Sequence, residues 1–129
     1  MVSGLCASLF SFELNLVICV VNIYGPFIER EVFWITLLGL DGLKCNNLIL
    51  GGDLNFSMGL SEIWGIRARL DPLSNFFTKW PENYGLVDVV PSVMLPTWNN
   101  RRVGAENISK RLDRFLLSAD MFDFDYFYS

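Results

Sequence analysis

The sequence predicts a single mixed α/β domain whose strands and helices pack in layers. Strand-type and helix-type segments alternate early in the chain, and strand-type segments dominate later. Of the 129 residues, 52% are apolar, which is enough for a buried core and excludes a disordered chain. No repeat, low-complexity tract or linker divides the sequence, so we treat residues 1–129 as one unit.

The first half of the chain predicts two strands and one helix. Residues 12–24 are rich in Val, Ile and Leu on both alternating faces, as in a strand covered on both sides, and Gly25-Pro26 ends this segment. Residues 28–40 predict a helix with acidic side chains in its first turn. Residues 47–50 predict a short buried strand, whereas the stretch 56–70 has no clear period and predicts a loop.

The second half predicts one helix and several short strands. Asp71-Pro72 combines a capping carboxylate with a proline at the first helical position, which indicates a helix start. Pro81 is expected to end this helix, whose apolar stripe consists of Leu73, Phe76, Phe77 and Trp80. Short strands are predicted at residues 86–90, around 96–98 and at 111–118.

Composition excludes several classes of function. Lys and Arg total 10 against 14 Asp and Glu, and the formal net charge of −4 argues against strong non-specific polyanion binding by the whole chain. The absence of histidine excludes any mechanism in which an imidazole of this chain acts as base, acid or metal ligand. The three cysteines lack C-x-x-C spacing, which argues against a disulfide scaffold or a structural zinc site. We expect an intracellular protein without a membrane partner, because the longest apolar run is too short to span a bilayer and no signal-peptide pattern opens the sequence.

The segment Gly51-Gly52-Asp53-Leu54-Asn55 is the first candidate for chemistry. An apolar strand that ends in two glycines delivers Asp53 to the rim of a sheet, where ligands commonly bind. In an extended segment Asp53 and Asn55 point the same way, so the pair could orient a water and support charge on a phosphoryl oxygen. The alternative is an Asx turn that only closes the strand.

Residues 111–118 supply the second candidate. Alternation places Asp113 on the same face as Phe115 and Leu117, a face that we expect to be core. A buried carboxylate needs a partner, and two remain open: Arg111 on the same face, or a catalytic group from elsewhere in the chain.

Two further segments carry side chains suited to phosphate or bases. Tyr24 closes the first predicted strand and could donate to a phosphate, although aromatic residues at strand ends usually pack. Thr97-Trp98 and Arg101 combine a stacking surface with a cation, as in nucleic-acid contacts. Five cations against two anions between Arg101 and Arg114 give a local charge of +3, and the alternative is a solvated loop.

Taken in order along the chain, these segments resemble a known group of proteins. The order is similar to that of the endonuclease/exonuclease/phosphatase superfamily, and more narrowly to the apurinic-endonuclease-like domain of plant non-LTR (LINE-type) retrotransposons. The resemblance spans about residues 12–118 and is carried by Asn22-Ile23-Tyr24-Gly25-Pro26, Gly52-Asp53-Leu54-Asn55, Gly85-Leu86-Val87-Asp88, Pro96-Thr97-Trp98 and Arg111-Leu112-Asp113-Arg114-Phe115-Leu116-Leu117-Ser118.

The resemblance implies a partial four-layer α/β/β/α sandwich of mixed sheets and Mg²⁺-dependent phosphodiester hydrolysis that nicks DNA, in the nucleus if functional. Asp53 matches the aspartate that orients the attacking water, Asn55 the asparagine that helps to hold the phosphate, and Tyr24 a tyrosine that contacts it. Asp113 matches the aspartate that hydrogen-bonds the catalytic histidine, and Thr97-Trp98 lies where related nucleases place a DNA-facing strand. Asp53 and Asn55 are the implied ligands of Mg²⁺.

The sequence also departs from the family pattern. The family's earlier strands supply an asparagine and a metal-binding glutamate, and its last strand carries Ser-Asp-His, which this sequence lacks. We therefore expect a partial domain with an incomplete Mg²⁺ ligand set, inactive and marginally stable as an isolated chain. Two alternatives stay open: a non-catalytic remnant that binds nucleic acid weakly, and a phosphatase of the same superfamily that acts on small phosphoesters or lipids.

Overall fold

The structure is a computed structural model that describes residues 3–39 and 46–123. Eight strands and two helices follow one another in these residues, with 3-10 turns at Leu60–Glu62, Gly104–Glu106 and Ala119–Asp123. The elements are β1 (Ser3–Ser11), β2 (Leu16–Tyr24), α1 (Arg30–Gly39), β3 (Leu48–Asp53), β4 (Ile63–Trp64), α2 (Ser74–Asn83), β5 (Leu86–Asp88), β6 (Trp98–Asn99), β7 (Ser109–Lys110) and β8 (Asp113–Ser118).

The larger sheet has five strands in the order β1-β2-β3-β8-β5. β2 and β3 pair in parallel and are connected through α1, whereas the other neighbours pair antiparallel. The carboxyl ends of β2 and β3 therefore meet at one edge of the sheet, and β8 begins at that same edge. This topology gathers Tyr24, Asp53 and Asp113 at one end of the sheet.

Both helices cover one face of this sheet. The core contains side chains of β2, β3 and β8 together with Trp34 and Leu38 of α1 and Phe77 and Trp80 of α2. Phe56 stacks on Phe77 at a ring separation of 4.2 Å. The helices and sheet thus form the layered α/β arrangement that the sequence predicted. Of the apolar stripe predicted for α2, Phe77 and Trp80 are buried, whereas Leu73 and Phe76 are partly buried against the core.

The smaller sheet has three antiparallel strands in the order β4-β7-β6. A buried ionic network ties it to the larger sheet. Arg111 donates to Glu62 at 2.7 Å and to Asp88 at 2.9 Å, and Arg114 donates to Glu62 at 2.8 Å. Glu62 directly precedes β4, whereas Asp88 and Arg114 belong to the larger sheet, so these ion pairs join the two sheets.

Several predicted boundaries were wrong. The strand predicted over residues 12–24 starts at Leu16, and a turn connects it to β1, which the sequence patterns did not predict. The stretch 56–70 contains the short strand β4 and is not entirely loop. Helix α2 starts at Ser74 and continues through Pro81 to Asn83. Proline is tolerated there because it removes only one hydrogen bond close to the helix end.

The predicted orientation of β8 was wrong for Asp113 and Phe115, although Leu117 on the same face is buried. Arg114 and Leu116 point into the core, whereas Asp113 and Phe115 are exposed. Alternation separates the two faces of a strand, but the helices decide which face is buried. The buried cation Arg114 is accommodated because Glu62 and Asp88 neutralise it.

The cysteines depart in part from expectation. Cys6 is an exposed free thiol, whereas Cys19 is disulfide-bonded. The sequence argued against a disulfide scaffold and gave no indication of the disulfide at Cys19. In the described part of the chain, no helix is long and apolar enough to cross a membrane.

Candidate functional site

A cavity of about 460 Å³ opens beside the sheet edge where β2 and β3 end. Four of the residues singled out from the sequence line it: Tyr24, Asp53, Asn55 and Trp98. The cations Arg69 and Lys110 line it as well. Segments that are far apart in the sequence thus place a phenol, a carboxylate, an amide and an indole around one opening.

Asp53 and Asp113 are neighbours across two antiparallel strands. They occupy paired positions of β3 and β8, so both side chains lie on the same face of the sheet. Burial raises the pKa of Asp53 above its ordinary value of 3.8, and the charge of Asp113 raises it further, while a hydrogen bond from the backbone N–H of Asn55 opposes the shift. Asp53 is therefore a carboxylate whose ionised form is disfavoured by its surroundings.

The prediction that Asp113 is buried was wrong. Asp113 is exposed, and the partner considered for it, Arg111, instead binds Glu62 and Asp88. The charge that Asp113 faces most directly is the like charge of Asp53. Its carboxylate is thus available to solvent at the sheet edge.

The Asx turn considered as the alternative for Asp53 is present. Its Oδ1 accepts a hydrogen bond from the backbone N–H of Asn55 at 3.0 Å. This turn does not remove Asp53 from the cavity, because the carboxylate still lines the opening. The structural and the chemical interpretations of this segment are therefore compatible.

Asn55 connects two loops. Its amide nitrogen donates to the backbone carbonyls of Gly25 at 3.4 Å and Pro26 at 3.1 Å, and the N–H of Gly25 donates to the carbonyl of Asp53 at 2.7 Å. A Cβ on Gly25 would lie 2.1 Å from the carbonyl oxygen of Leu54, so only glycine permits this approach. These contacts fix Tyr24, the neighbour of Gly25, relative to Asp53.

Arg30 and Asp71 brace the same turn, and sequence reasoning missed both. The two terminal nitrogens of Arg30 donate to the two carboxylate oxygens of Asp71, each at 2.7 Å, and Nη1 also donates to the carbonyl of Asn55 at 3.3 Å. A cation in the first turn of a helix opposes the helix dipole, which was the available signal that Arg30 has a specific partner.

Asp71 is adapted to this pairing. Burial alone would raise its pKa, but the hydrogen bonds from Arg30 and from the backbone N–H of Leu73, together with the charge of Arg30, lower the pKa below its ordinary value of 3.8. Asp71 is thus ionised where it joins α1 to the start of α2.

Trp98 and Lys110 form one wall of the cavity. They are paired across β6 and β7, and the ammonium of Lys110 lies 5.9 Å from the centre of the indole ring. This contact holds an aromatic surface and a cation side by side at the opening.

Thr97 and Arg101 do not line this cavity. The hydroxyl of Thr97 accepts hydrogen bonds from the N–H groups of Leu112 and Asp113, at 2.9 and 3.0 Å. Arg101 has a positive φ of 58° in the loop between β6 and β7, and its N–H donates to the side chain of Asn99. Thr97 thus fixes the start of β8, and Arg101 lies in an exposed, internally bonded loop.

The basic stretch predicted between Arg101 and Arg114 contributes less positive surface than its sequence indicates. Arg111 and Arg114 are buried and bound to Glu62 and Asp88, so they cannot meet a polyanion. The accessible cations near the cavity are Lys110 and, from another loop, Arg69. The sequence count overestimated this patch because it could not tell buried cations from exposed ones.

The described residues contain no group of three or more His, Cys, Asp or Glu side chains that could hold a metal ion. The acidic donors at the sheet edge are the pair Asp53 and Asp113. Mg²⁺ prefers six oxygen ligands and commonly uses one or two carboxylates together with waters and substrate phosphates. The pair therefore suits a weakly held, water-rich cation and cannot enclose one.

The fold is an α/β sandwich with a cavity at one edge of its larger sheet. Among solved structures, this fold is similar to the endonuclease domain of TRAS1, a telomere-specific non-LTR retrotransposon, with a TM-score of 0.70 and 19% sequence identity. The match covers 93% of this chain and 52% of that chain, so the protein spans about half the length of its match. The protein thus has a retrotransposon endonuclease-like fold.

No protein-family model matches the sequence, and no curated protein matches it.

Proposed function

We propose that this chain is part of a Mg²⁺-dependent endonuclease domain of the endonuclease/exonuclease/phosphatase superfamily, of the type found in plant non-LTR (LINE-type) retrotransposons. Its substrate is DNA, and its site is the cavity at the sheet edge. The observation that supports this most is the convergence of Tyr24, Asp53 and Asn55 on that cavity, with Asp113 beside Asp53.

The side chains of the cavity have chemistry suited to a phosphodiester. A phenol such as Tyr24 can donate to a phosphate oxygen, and a carboxylate with a raised pKa, such as Asp53, can accept a proton from water. Arg69 and Lys110 can offset the charge of the phosphate, and Trp98 offers a face on which a base can stack. In this proposal Asn55 acts mainly by holding the turn, because its amide nitrogen is engaged by backbone carbonyls.

In this proposal Asp53 and the amide oxygen of Asn55 would hold Mg²⁺, and Asp113, which is paired with Asp53 across the two strands, could assist. When bound, Mg²⁺ would neutralise charge at the phosphate. Two carboxylates and an amide would leave half of an octahedral shell to water and substrate, so we propose that the chain alone binds DNA without hydrolysing it.

DNA binding is tested by fluorescence anisotropy with a labelled duplex. We expect weak binding that falls steeply between about 50 and about 200 mM salt, because phosphate contacts release counterions. Trp98→Ala should weaken binding about tenfold through the loss of stacking. Phe12→Ala is the matched control, since Phe12 is an exposed aromatic residue outside the cavity. An affinity that does not change with salt would contradict the proposal.

Hydrolysis is tested with supercoiled plasmid and Mg²⁺. We expect the chain to produce no more nicks than its Asp53→Ala variant. Mg²⁺-dependent nicking that Asp53→Ala abolishes would mean that the chain carries a complete site, against the proposed incompleteness. Nicking that survives this substitution would remove Asp53 from the chemistry. Turnover of a small phosphomonoester without DNA binding would favour the phosphatase alternative.

A further inference from the structure

Two cations that line the cavity are not neutralised by carboxylates. Most arginines of the described residues are bound in ion pairs: Arg30, Arg67, Arg111 and Arg114. In the part of the chain that the structure describes, Arg69 and Lys110 have no such partner, and both line the cavity. The cavity therefore carries positive charge that the protein itself leaves uncompensated.

The charge of Arg69 is left free by its neighbours in the loop between β4 and α2. Asp71 is close to Arg69 in sequence, but both of its carboxylate oxygens accept hydrogen bonds from Arg30 at 2.7 Å. Arg67 in the same loop binds Glu106, which lies between β6 and β7. A loop held at Arg67 and at Asp71 places Arg69, midway between them, at the cavity.

Lys110 is held in place by an aromatic ring. Its ammonium lies 5.9 Å from the centre of the Trp98 ring, and the pairing of β6 with β7 joins the two residues. A cation–π contact orients the ammonium but does not neutralise it, because the ring carries no net charge. Lys110 thus presents a positive charge from β7, while Arg69 presents one from the loop before α2.

The free carboxylates of the site are held apart from these cations. Asp53 lines the same cavity and is paired with Asp113 across two strands, yet within the described ranges it forms no ion pair with Arg69 or Lys110. The pKa of Asp53 agrees with this separation, since burial and the charge of Asp113 raise it and no cation lowers it. The cavity therefore has a carboxylate end and a cationic end.

We infer that Arg69 and Lys110 form a second phosphate subsite, which holds a phosphate next to the one at Asp53 on the same DNA strand. The inference rests on the proposed function for the identity of the anion as a DNA phosphate. A guanidinium fork and an ammonium are the side-chain groups that proteins use for phosphate. The cavity, at about 460 Å³, lies within the range of about 300–1,000 Å³ typical of ligand sites, so it has room for more than one phosphate group.

The two ends of the cavity make different contributions to binding. Without a divalent cation, the carboxylates of Asp53 and Asp113 repel a phosphate. The affinity for DNA under these conditions therefore comes from the cationic end. A DNA strand carries one phosphate per nucleotide, so a strand that reaches the sheet edge presents a further phosphate to this end.

The test is DNA binding by the full chain in EDTA, measured by fluorescence anisotropy over a range of salt concentrations. Arg69→Gln and Lys110→Gln should each weaken duplex binding about threefold or more. Each should also reduce the slope of log affinity against log salt by about 0.9, since each removes one phosphate contact. Arg69 is exposed and has no ion pair to lose within the described ranges, so the fold should tolerate glutamine, which far-UV circular dichroism checks.

Lys79→Gln is the matched control. It changes the net charge by the same amount, but Lys79 lies on α2 and lines a different groove. It should leave the salt slope unchanged. Slopes of Arg69→Gln and Lys110→Gln equal to that of Lys79→Gln would overturn the inference while the proposed DNA binding stands.

A second measurement does not depend on DNA. Titration of the full chain with inorganic pyrophosphate in a calorimeter should show binding that Arg69→Gln and Lys110→Gln weaken and Lys79→Gln does not. Pyrophosphate binding of this kind without DNA binding would retain the phosphate subsite and count against the proposed function. A wild-type chain that binds neither pyrophosphate nor DNA would overturn both.

Discussion

At the residue scale, the ionised carboxylate of Asp53 destabilises the fold, while the same surroundings raise its pKa as is common for acid–base groups. It lies beside a like charge, and burial disfavours its ionised form. Such a carboxylate persists only because the rest of the structure holds it in place, and arrangements of this kind cluster at functional sites. The pKa shift therefore supports the geometric argument that the sheet edge is a site.

Asp53→Asn should stabilise the chain near neutral pH. Because the pKa of Asp53 is higher in the folded than in the unfolded state, ionisation above pH 3.8 costs folding free energy, and this cost disappears once both states are protonated. The gain from asparagine should therefore be present at pH 7 and absent below pH 3.8. Urea unfolding at both pH values measures it. Glu13→Gln, in the turn after β1, is the control, and a loss of stability at pH 7 from Asp53→Asn would contradict the argument.

At the scale of elements, the ion pair between Arg30 and Asp71 links both helices to the turn that follows β3. Arg30 is the first residue of α1, and Asp71 lies just before α2. Arg30 also donates a hydrogen bond to the carbonyl of Asn55. Only 17% of the Arg30 side chain and 7% of the Asp71 side chain are exposed. A bidentate pair sheltered from water contributes more than an exposed one.

A double-mutant cycle measures how much more this sheltered ion pair contributes than an exposed one. Changing Arg30→Met and Asp71→Leu singly and together should give a coupling free energy of about 1–3 kcal/mol in urea unfolding. The same cycle on Arg67 and Glu106, an ion pair whose side chains are 62% and 51% exposed, should give about 0.5 kcal/mol or less. Equal couplings for the two pairs would show that Arg30 does not brace the turn.

At the scale of the whole molecule, the two sheets depend on a buried cluster of charges. Burial alone would raise the pKa of Glu62, but the hydrogen bonds and charge of Arg114, with further hydrogen bonds from Met58 and Arg111, lower it below its ordinary value of 4.5. The stabilising contribution of Glu62 is therefore present above pH 4.5 and is lost as the pH falls through the lower folded value.

Glu62→Gln should destabilise the chain by about 3–5 kcal/mol, because it leaves two buried guanidinium groups with less compensating charge. It should also reduce the loss of stability that the wild type shows below pH 4.5. Denaturant unfolding as a function of pH measures both effects, with the helix-surface variant Glu82→Gln as control. A variant with the same acid dependence as the wild type would refute this role of Glu62.

Much of the fold and part of the site could be predicted from local pattern. The apolar run within residues 12–24 predicted a strand, and the apolar stripe from Leu73 to Trp80 predicted a helix. The ordered short motifs pointed to Tyr24, Asp53 and Asn55, which line the cavity. Arg30 and Asp71 could not be predicted as a pair, because they are 41 residues apart and meet only when both helices pack on the sheet.

The sequence by itself determined the class of domain, the elements near the site and the chemical types of its side chains, since these follow from periodicity and residue identity. Only the tertiary structure decided which face of β8 is buried, that Arg111 and Arg114 serve the core, and that Asp53 lies beside Asp113. The reason is physical: burial and charge pairing depend on what packs against a residue, and for these residues the neighbours come from distant parts of the chain.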